Sequence, residues 1–578
     1  MIRTRSVVLS ASLAFAFALG CGTAPKGTGQ DAGPSTLVVE PATITLDVVN
    51  GVQPTQDYTA NLVAPDGTRT DVTDQVSFIL DDSAIGYFDH HTLTATGAGA
   101  GQTTVRAGLP GVQGTAQVKV LVHGSRVDPS APADAPALFG AAATDTAKQV
   151  AIAYPPDQVI VPQNLGDFEV HWRDGSGDNL FEVTLRDDFT DLRIYVAGGA
   201  TGWGKYLPAE WSSASHGAGD LTVIVRGLDT AAPQTAGISA PITVHLTNEA
   251  ILGGLYYWAA AGGGEGIWRH DMSKPGDPPE KFFTTTETPA GRCVACHSLS
   301  RDGTKMAVTY DGGNKSATIL DVATLTPAIA PDTMYWNFAT FTPDATKLLT
   351  VFNGQLTLRN AANGDVLATV QNTSVASHPD FAPQGDKIVY VQRSAGSDWE
   401  FTGGNLVVQS YDPVNVTFGD MPTPLVTGGG NNFYPSFSPD GQWVLFNRTD
   451  NNEDSYNAPT AELWVVKADG SAPPMKLAAA DIGPGLTNSW ARWAPFQSSF
   501  GPNNEPLYWI TFSSKREFGV RSTAALNNLR PQIWMTPFFP ARMTGGTEPT
   551  APSFRLPFQD IGTNNHIAQW TERVVPVN

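Results

Sequence analysis

The chain has 578 residues, too many for one hydrophobic core, so two to four domains are expected. Only 16% of the residues are charged, whereas 57 are Gly and 43 are Pro, which favours many short strands joined by turns over helical bundles. The net charge of -20 repels phosphate backbones, so nucleic acid is not expected as a partner. We therefore predict an all-β protein.

The first 20 residues have the pattern of a signal peptide. Arg3 and Arg5 precede an apolar run over residues 7–19, which is too short to cross a bilayer. Small residues follow, and we expect this segment to direct export and to be removed.

The end of that run, Ala18-Leu19-Gly20-Cys21, resembles a bacterial lipobox, although the usual Leu three places before the cysteine is Ala18 here. The resemblance implies that Cys21 is lipidated and anchors the protein in a membrane, at the outer membrane or cell surface. The alternative is cleavage after Ala18, which leaves a secreted protein. Residues 21–35, rich in Gly, Pro and Thr, are predicted to form a flexible tether.

Two β-sandwiches are predicted next. Alternating apolar residues, as in residues 76–80 (Val-Ser-Phe-Ile-Leu), predict a sandwich over residues 36–122. Its Gly-rich residues 95–99, before a Thr-Val strand, resemble bacterial Ig-like domains. Residues 123–140, rich in Pro, Ala and Asp, predict a linker, and residues 141–248 resemble a fibronectin-type or Ig-like sandwich. Neither sandwich has a set of residues typical of a catalytic or metal site, so both are interpreted as spacers or adhesion modules.

Residues 249–578 contain a degenerate repeat. Its clearest copy is residues 434–446 (Tyr-Pro-Ser-Phe-Ser-Pro-Asp-Gly-Gln-Trp-Val-Leu-Phe), and the copies have anchors 40 to 56 residues apart, at Leu299, Phe341, Phe381, Phe437 and Trp493. This spacing fits one four-stranded blade per repeat. The motif resembles the TolB-type β-propeller repeat, which implies a propeller over more than half of the chain. A solenoid is the alternative architecture.

A further blade can be assembled from both ends of this region. Residues 255–258 and 266–271 look like middle strands without an inner strand, which residues 566–570 could supply. Closing the ring in this way removes exposed sheet edges. The predicted fold is therefore two β-sandwiches followed by a six-bladed β-propeller.

The only cysteines after Cys21 lie in Cys293-Val294-Ala295-Cys296-His297, the signature of c-type haem attachment. Cys293 and Cys296 would each bond one vinyl group of the same haem, and His297 would be the proximal ligand of the iron. Because c-type haem is attached outside the cytoplasm, the signal segment is consistent with this prediction. A disulfide between the two cysteines and a metal site, such as zinc, remain alternatives.

Alignment of the repeats predicts what surrounds the motif. It places Cys296 at the start of an innermost strand, level with five residues that should ring one mouth of the channel: Phe338, His378, Tyr434, Trp490 and Ile567. A haem there would lie on a largely aromatic floor. His566 is the first candidate for the distal ligand and His378 the second, while Met306 is better explained as core.

The function stays open between two classes. The first is an envelope lipoprotein whose propeller carries one haem c for electron transfer with a redox partner. The alternative is a haem-free propeller scaffold that binds a protein or glycan at the cell surface. No catalytic residue is assigned, and an enzymatic role is left undecided. Residues 450–454 (Asp-Asn-Asn-Glu-Asp) could hold calcium, although a solvated loop explains them more simply.

Overall fold

The computed structural model describes residues 34–216, 219–260, 265–371, 374–450 and 452–577. Strands hold 51% of the residues and helices 5%, which confirms the all-β prediction. The predicted signal peptide, Cys21 and residues 21–33 of the predicted tether lie outside the described residues. Within the described ranges no helix has both the length and the hydropathy needed to cross a bilayer.

Within the described residues, and besides a 3₁₀ helix at Thr73–Gln75, the N-terminal region consists of twenty strands and two short α-helices. They are β1 (Thr36–Glu40), β2 (Thr43–Val49), β3 (Thr55–Asp57), β4 (Thr59–Val63), β5 (Arg69–Asp71), β6 (Ser77–Leu80), β7 (Gly86–Asp89), β8 (Thr92–Ala95), β9 (Gly101–Leu109), β10 (Val112–Val127), α1 (Ala135–Ala141), β11 (Ala143–Thr144), β12 (Val150–Tyr154), β13 (Val159–Val161), β14 (Phe168–Asp174), β15 (Leu180–Arg186), β16 (Thr190–Ala197), β17 (Thr201–Tyr206), α2 (Pro208–Ser215), β18 (Asp220–Leu228), β19 (Thr235–Ile238) and β20 (Ile242–Leu246).

Strand β10 joins the two predicted sandwiches into one sheet. It pairs with β2 and β9 on the N-terminal side and with β16 on the other. The chain is therefore strand up to Val127, where a linker was predicted, and α1 follows within the same segment. The Pro- and Ala-rich composition has a structural reason here: Pro136 lies in the first turn of α1. Phe139 of the same helix packs on Tyr195 of β16 with ring centroids 5.8 Å apart.

The described part of the C-terminal region contains twenty-seven strands and one α-helix, besides a 3₁₀ helix at Pro289–Gly291. They are β21 (Gly254–Ala260), β22 (Gly266–Asp271), β23 (Glu280–Thr284), β24 (Val294–Leu299), β25 (Lys305–Tyr310), β26 (Lys315–Asp321), β27 (Tyr335–Trp336), β28 (Ala339–Phe341), β29 (Lys347–Phe352), β30 (Gln355–Asn360), β31 (Val366–Thr369), β32 (Ala376–Phe381), β33 (Lys387–Gln392), β34 (Ala395–Gly396), β35 (Phe401–Thr402), β36 (Asn405–Asp412), β37 (Thr417–Phe418), β38 (Thr423–Val426), β39 (Asn431–Phe437), β40 (Trp443–Thr449), β41 (Glu462–Lys467), β42 (Met475–Lys476), β43 (Ser489–Phe500), β44 (Glu505–Ser514), β45 (Gln532–Phe538), α3 (Pro540–Thr544), β46 (Phe554–Arg555) and β47 (Asn564–Thr571).

These strands form a succession of antiparallel sheets that begin with β24, β28, β32, β39 and β43, and one further sheet in the order β47-β21-β22-β23. We call β24, β28, β32, β39, β43 and β47 the inner strands. Each inner strand contacts the next, and β47 contacts both β43 and β24, so the cycle is closed. The last strand of the chain thus pairs with β21, as the sequence predicts. The result is a β-propeller around a central channel.

A repeated turn ends the inner strands on one side. The Ser438 hydroxyl donates to the Asp440 carboxylate at 2.5 Å and accepts the N–H of Trp443 at 3.0 Å. Ser300 with Asp302, and Thr342 with Asp344, make the same hydroxyl-to-carboxylate bond at 2.6 Å. Gly441 completes the turn with φ of 72°, which a residue without Cβ adopts at little cost. These bonds explain the Ser-Pro-Asp-Gly signature.

Candidate functional site at the channel mouth

The inner strands bend at the same point along their length. The strand pairing shifts register there in five of the six, namely β24, β32, β39, β43 and β47. Four residues at this point have left-handed φ values: His378 (45°), Tyr434 (50°), Trp490 (57°) and Ile567 (58°). Such a conformation costs an L-residue about 1–2 kcal/mol. These are the residues that the repeat alignment places level with Cys296.

Four of the aligned side chains form a layer across the channel, which we call the aromatic layer: Phe338, His378, Tyr434 and Trp490. The ring centroids of Phe338 and His378 are 4.3 Å apart, and those of His378 and Tyr434 are 4.1 Å apart. Tyr434 stacks on Trp490 at 4.0 Å. Because each ring comes from a different sheet, the layer ties the sheets together around the channel.

Three cavities follow one another along the channel, since neighbouring cavities share lining residues. The mouth cavity has about 570 Å³ and adjoins an inner cavity of about 40 Å³ through Cys296, Asn337, Phe338 and Ile567. A far cavity of about 160 Å³ shares five residues with the inner cavity: Ser298, Thr340, Asp380, Arg492 and Gln569. A side cavity of about 400 Å³ adjoins the mouth cavity at Trp258, Tyr456 and His566.

Cys293 and Cys296 both line the mouth cavity. Residues three apart in a regular strand point to opposite faces, but the register shift between Val294 and His297 breaks that alternation. Both cysteines are free thiols. Burial raises the pKa of Cys293 and raises that of Cys296 to about 12, so both thiols are protonated at neutral pH.

His297 lines the inner cavity and is not among the residues that line the mouth cavity. Its side chain is buried, and neither ring nitrogen has a hydrogen-bond partner of good geometry among the described residues. The carbonyls of Tyr256 and Ala295 lie near the ring, but burial dominates and, with His566 nearby, lowers the pKa of His297 to about 3. The imidazole is therefore neutral at neutral pH.

The two candidates for a distal ligand lie in different cavities. His566 lines the mouth cavity, where its ring packs against Trp258 with centroids 4.7 Å apart, and burial lowers its pKa to about 4. His378 lines the inner cavity, where its Nδ1 accepts the N–H of Tyr434 at 3.3 Å. Of the two, only His566 shares a cavity with both thiols.

Aromatic residues from β21 and from two loops complete the mouth cavity, and the sequence pattern does not predict them. Trp258 donates its Nε1–H to the carbonyl of Val294 at 2.8 Å, which fixes its ring beside the thiols. Trp399 and Tyr456 also line the cavity. These three residues occupy no common position in the repeat, so no periodic signal marks them.

Charged side chains lie beside the mouth cavity and in the side cavity. Arg292, directly before Cys293, pairs with Asp311 at 2.8 Å and with Asp332 at 2.9 Å. Lys515 lines the side cavity and, among the described residues, has no carboxylate within 4 Å.

The mouth cavity offers some of the groups that a covalently held haem requires. Its volume lies within the range of about 300–1,000 Å³ of ordinary ligand pockets. Two thiols, several aromatic rings and one neutral imidazole are the groups that hold c-type haem. The feature that does not match is His297, which lies on the inner cavity.

Two further groups were considered as ligands in the sequence: Met306 for the haem iron and residues 450–454 for calcium. Both have ordinary structural surroundings. Met306 is fully buried in β25 within the hydrophobic core. In the acidic loop after β40, the Glu453 carboxylate accepts the hydroxyls of Thr449 and Thr460 at 2.8 and 2.6 Å. In the part of the chain that the structure describes, no three His, Cys, Asp or Glu side chains cluster as a metal site.

No family model matches this chain, and no curated protein matches its sequence. Three solved structures share 13% identity with it. A putative TolB from Agrobacterium tumefaciens matches over 55% of this chain and 99% of its own, with a TM-score of 0.31. TolB from Acinetobacter baumannii matches over 61% and 80%, with a TM-score of 0.34. Kuenenia stuttgartiensis hydrazine synthase matches over 47% and 67%, with a TM-score of 0.29. At these TM-scores the likenesses carry no information about the chemistry of this chain.

Proposed function

We propose that this chain is an exported envelope lipoprotein whose TolB-like, six-bladed propeller carries one covalent c-type haem in the mouth cavity and exchanges electrons with a redox partner. The observation that carries the proposal is that both thiols of the Cys-x-x-Cys-His motif line one cavity of about 570 Å³ with aromatic walls. The haem iron would supply one-electron redox chemistry.

Several side chains in or near the mouth cavity have a role in this proposal. Cys293 and Cys296 hold the porphyrin through thioethers. His566 offers a neutral imidazole, because burial keeps its pKa far below neutral pH, while His297 remains the motif's own candidate ligand. Phe338 of the aromatic layer lines the mouth cavity and would pack against the porphyrin. Lys515 would pair with a haem propionate, because no carboxylate within the described residues occupies it.

The N-terminal region fits the same proposal as a spacer. The two Ig-like sandwiches would hold the propeller away from a membrane to which lipidated Cys21 anchors the chain. Cleavage after Ala18 would instead release the protein, with the haem site unchanged.

One observation favours a second candidate function. Because His297 lines the inner cavity, the motif in this conformation does not present its histidine to the mouth cavity. A haem-free scaffold that binds a protein or glycan at the propeller face would need no such histidine.

The test is to produce the chain in a host that attaches c-type haem. We expect the intact mass to rise by one haem, and the Soret band to survive denaturation. Cys296→Ala should remove the normal two-thioether attachment, whereas Ser298→Ala, on the same strand but outside the mouth cavity, should keep it. Colourless protein with an unmodified mass would overturn the proposal and leave the scaffold.

A further inference from the structure

The inner cavity is unusual because three of its buried polar side chains have atoms without a hydrogen-bond partner among the described residues. His297, Asn337 and His378 line it and are 6%, 1% and 3% exposed. Neither ring nitrogen of His297, nor Asn337 Nδ2, nor His378 Nε2 has a hydrogen-bond partner in the described part of the chain. Buried polar groups in folded proteins are nearly always paired, so three such residues around one cavity indicate that something binds there.

These groups are mostly hydrogen-bond donors. His378 Nδ1 accepts the N–H of Tyr434, so the proton of its neutral ring sits on the unpartnered Nε2. Asn337 Oδ1 is contacted by the Cys296 thiol at 3.5 Å, so the free atom of that amide is the NH₂ group. His297, neutral as well, adds one donor and one acceptor.

A partly buried cation lies on the same wall. Arg492 donates through Nη1 to the carbonyls of Ala491 at 2.9 Å and Tyr434 at 3.5 Å, and within the described residues no carboxylate is within 4 Å of it. Asp380 also lines the cavity, but its two oxygens already accept the Thr340 hydroxyl at 3.3 Å and the N–H of Phe437 at 2.8 Å. The excess of donors beside a guanidinium suits an acceptor that carries negative charge.

We propose that the inner cavity binds a small monovalent anion, held by Arg492, Asn337 and His378. Its volume of about 40 Å³ admits about three water-sized atoms, which suits bromide or formate and excludes sulfate or gluconate. The far cavity shares Arg492, Asp380 and Thr340 with it and provides the route of entry. The site is inferred for haem-free protein, in which the Cys296 thiol still contacts Asn337 Oδ1, and the test below therefore uses haem-free protein.

The test is to titrate the protein with sodium bromide or sodium formate at constant ionic strength, with sodium gluconate as the balancing salt. We expect a saturable rise in Tm with either small anion and none with sulfate. Crystals soaked in bromide should show an anomalous peak between Arg492 and Asn337. A response that does not saturate, or electron density for water alone, would overturn the proposal.

Two variants make the test specific. Asn337→Asp replaces the free NH₂ group by a carboxylate oxygen of the same size. The affinity for the anion should fall at least about tenfold. Asn353→Asp makes the same change on an exposed hairpin and should leave the affinity unchanged, which controls for added charge. If Asn337→Asp proves unstable, His378→Phe keeps the ring within the aromatic layer and removes the donor. Unaltered binding in a folded form of either cavity variant would contradict the site.

Discussion

The two ends of the inner strands differ in how far their residues recur from repeat to repeat. At the far end, the same turn recurs with the same bonds, as in Ser300 with Asp302 and Ser438 with Asp440. At the mouth, positions that the repeat alignment treats as equivalent carry different residues, Cys296, His378 and Trp490 among them, and the strand pairing shifts register close to each of them. The turn residues that recur from repeat to repeat stabilise the fold. The residues that differ between repeats, at the positions near the register shift, form the candidate site at the mouth.

The largest expected effect tests the mouth. Replacing both Cys293 and Cys296 by Ala should abolish covalent haem completely, because no other cysteine lies in the propeller region. The free energy of unfolding of haem-free protein should change by less than about 2 kcal/mol, since small side chains are lost at the edge of a cavity. Mass spectrometry and chemical denaturation measure the two quantities. Covalent haem in the double variant would show that the mouth is not the attachment site.

The next effect concerns the aromatic layer. Trp490→Ala should cost about 3–5 kcal/mol, because a buried ring stacked on Tyr434 at 4.0 Å is removed and leaves a cavity. Trp203→Ala, at a ring that is 41% exposed, is the control and should cost much less. Equal losses for the two variants would show that the layer does not hold the sheets together.

A third prediction uses the pH dependence of haem-free protein. Burial lowers the pKa of His566 from 6.5 to about 4, so the folded state resists protonation that the unfolded chain accepts. The stability from this group is therefore present above pH 6.5 and lost as the pH falls towards 4. Between pH 7 and pH 5, the wild type should lose about 2 kcal/mol more than His566→Gln.

The control for that prediction is His90→Gln, at a side chain that is 90% exposed. It should follow the wild type at both pH values in urea denaturation. If His566→Gln also follows the wild type, the imidazole of His566 is not held neutral at the mouth.

The far end could be predicted from sequence because its bonds are local. Ser438 and Asp440 are two residues apart, and the signature that encodes their turn is visible in one copy of the repeat. The repeat alignment also located the aromatic layer, since its residues share one position. Trp258 and Tyr456 escaped prediction because they share no position in the repeat: Trp258 lies in β21, next to an inner strand, and Tyr456 lies in the loop after β40.

The side chain direction of His297 could not be predicted for a different reason. It depends on a shift of register in β24, and such a shift cancels the alternation on which strand predictions depend. The structure of residues 123–140 also depends on a contact that is distant in sequence. The composition of residues 123–140 suggested a loop, yet parallel pairing of β10 with β16, which is distant in sequence, keeps the chain extended to Val127.

The smallest effect tests the far end. Ser438→Ala removes the bond to Asp440 and the acceptor for the N–H of Trp443, so it should cost about 1–2 kcal/mol and leave haem content unchanged. The chain contains its own control. Ala382 occupies the equivalent position in the sheet of β32, and its turn forms through main-chain bonds alone, from Ala382 N–H to Lys387 O at 3.0 Å and from Gly385 N–H to Ala382 O at 2.8 Å. The hydroxyl should therefore stabilise the turn without defining it, and a Ser438→Ala protein that loses haem together with stability would show that the two ends are not separable.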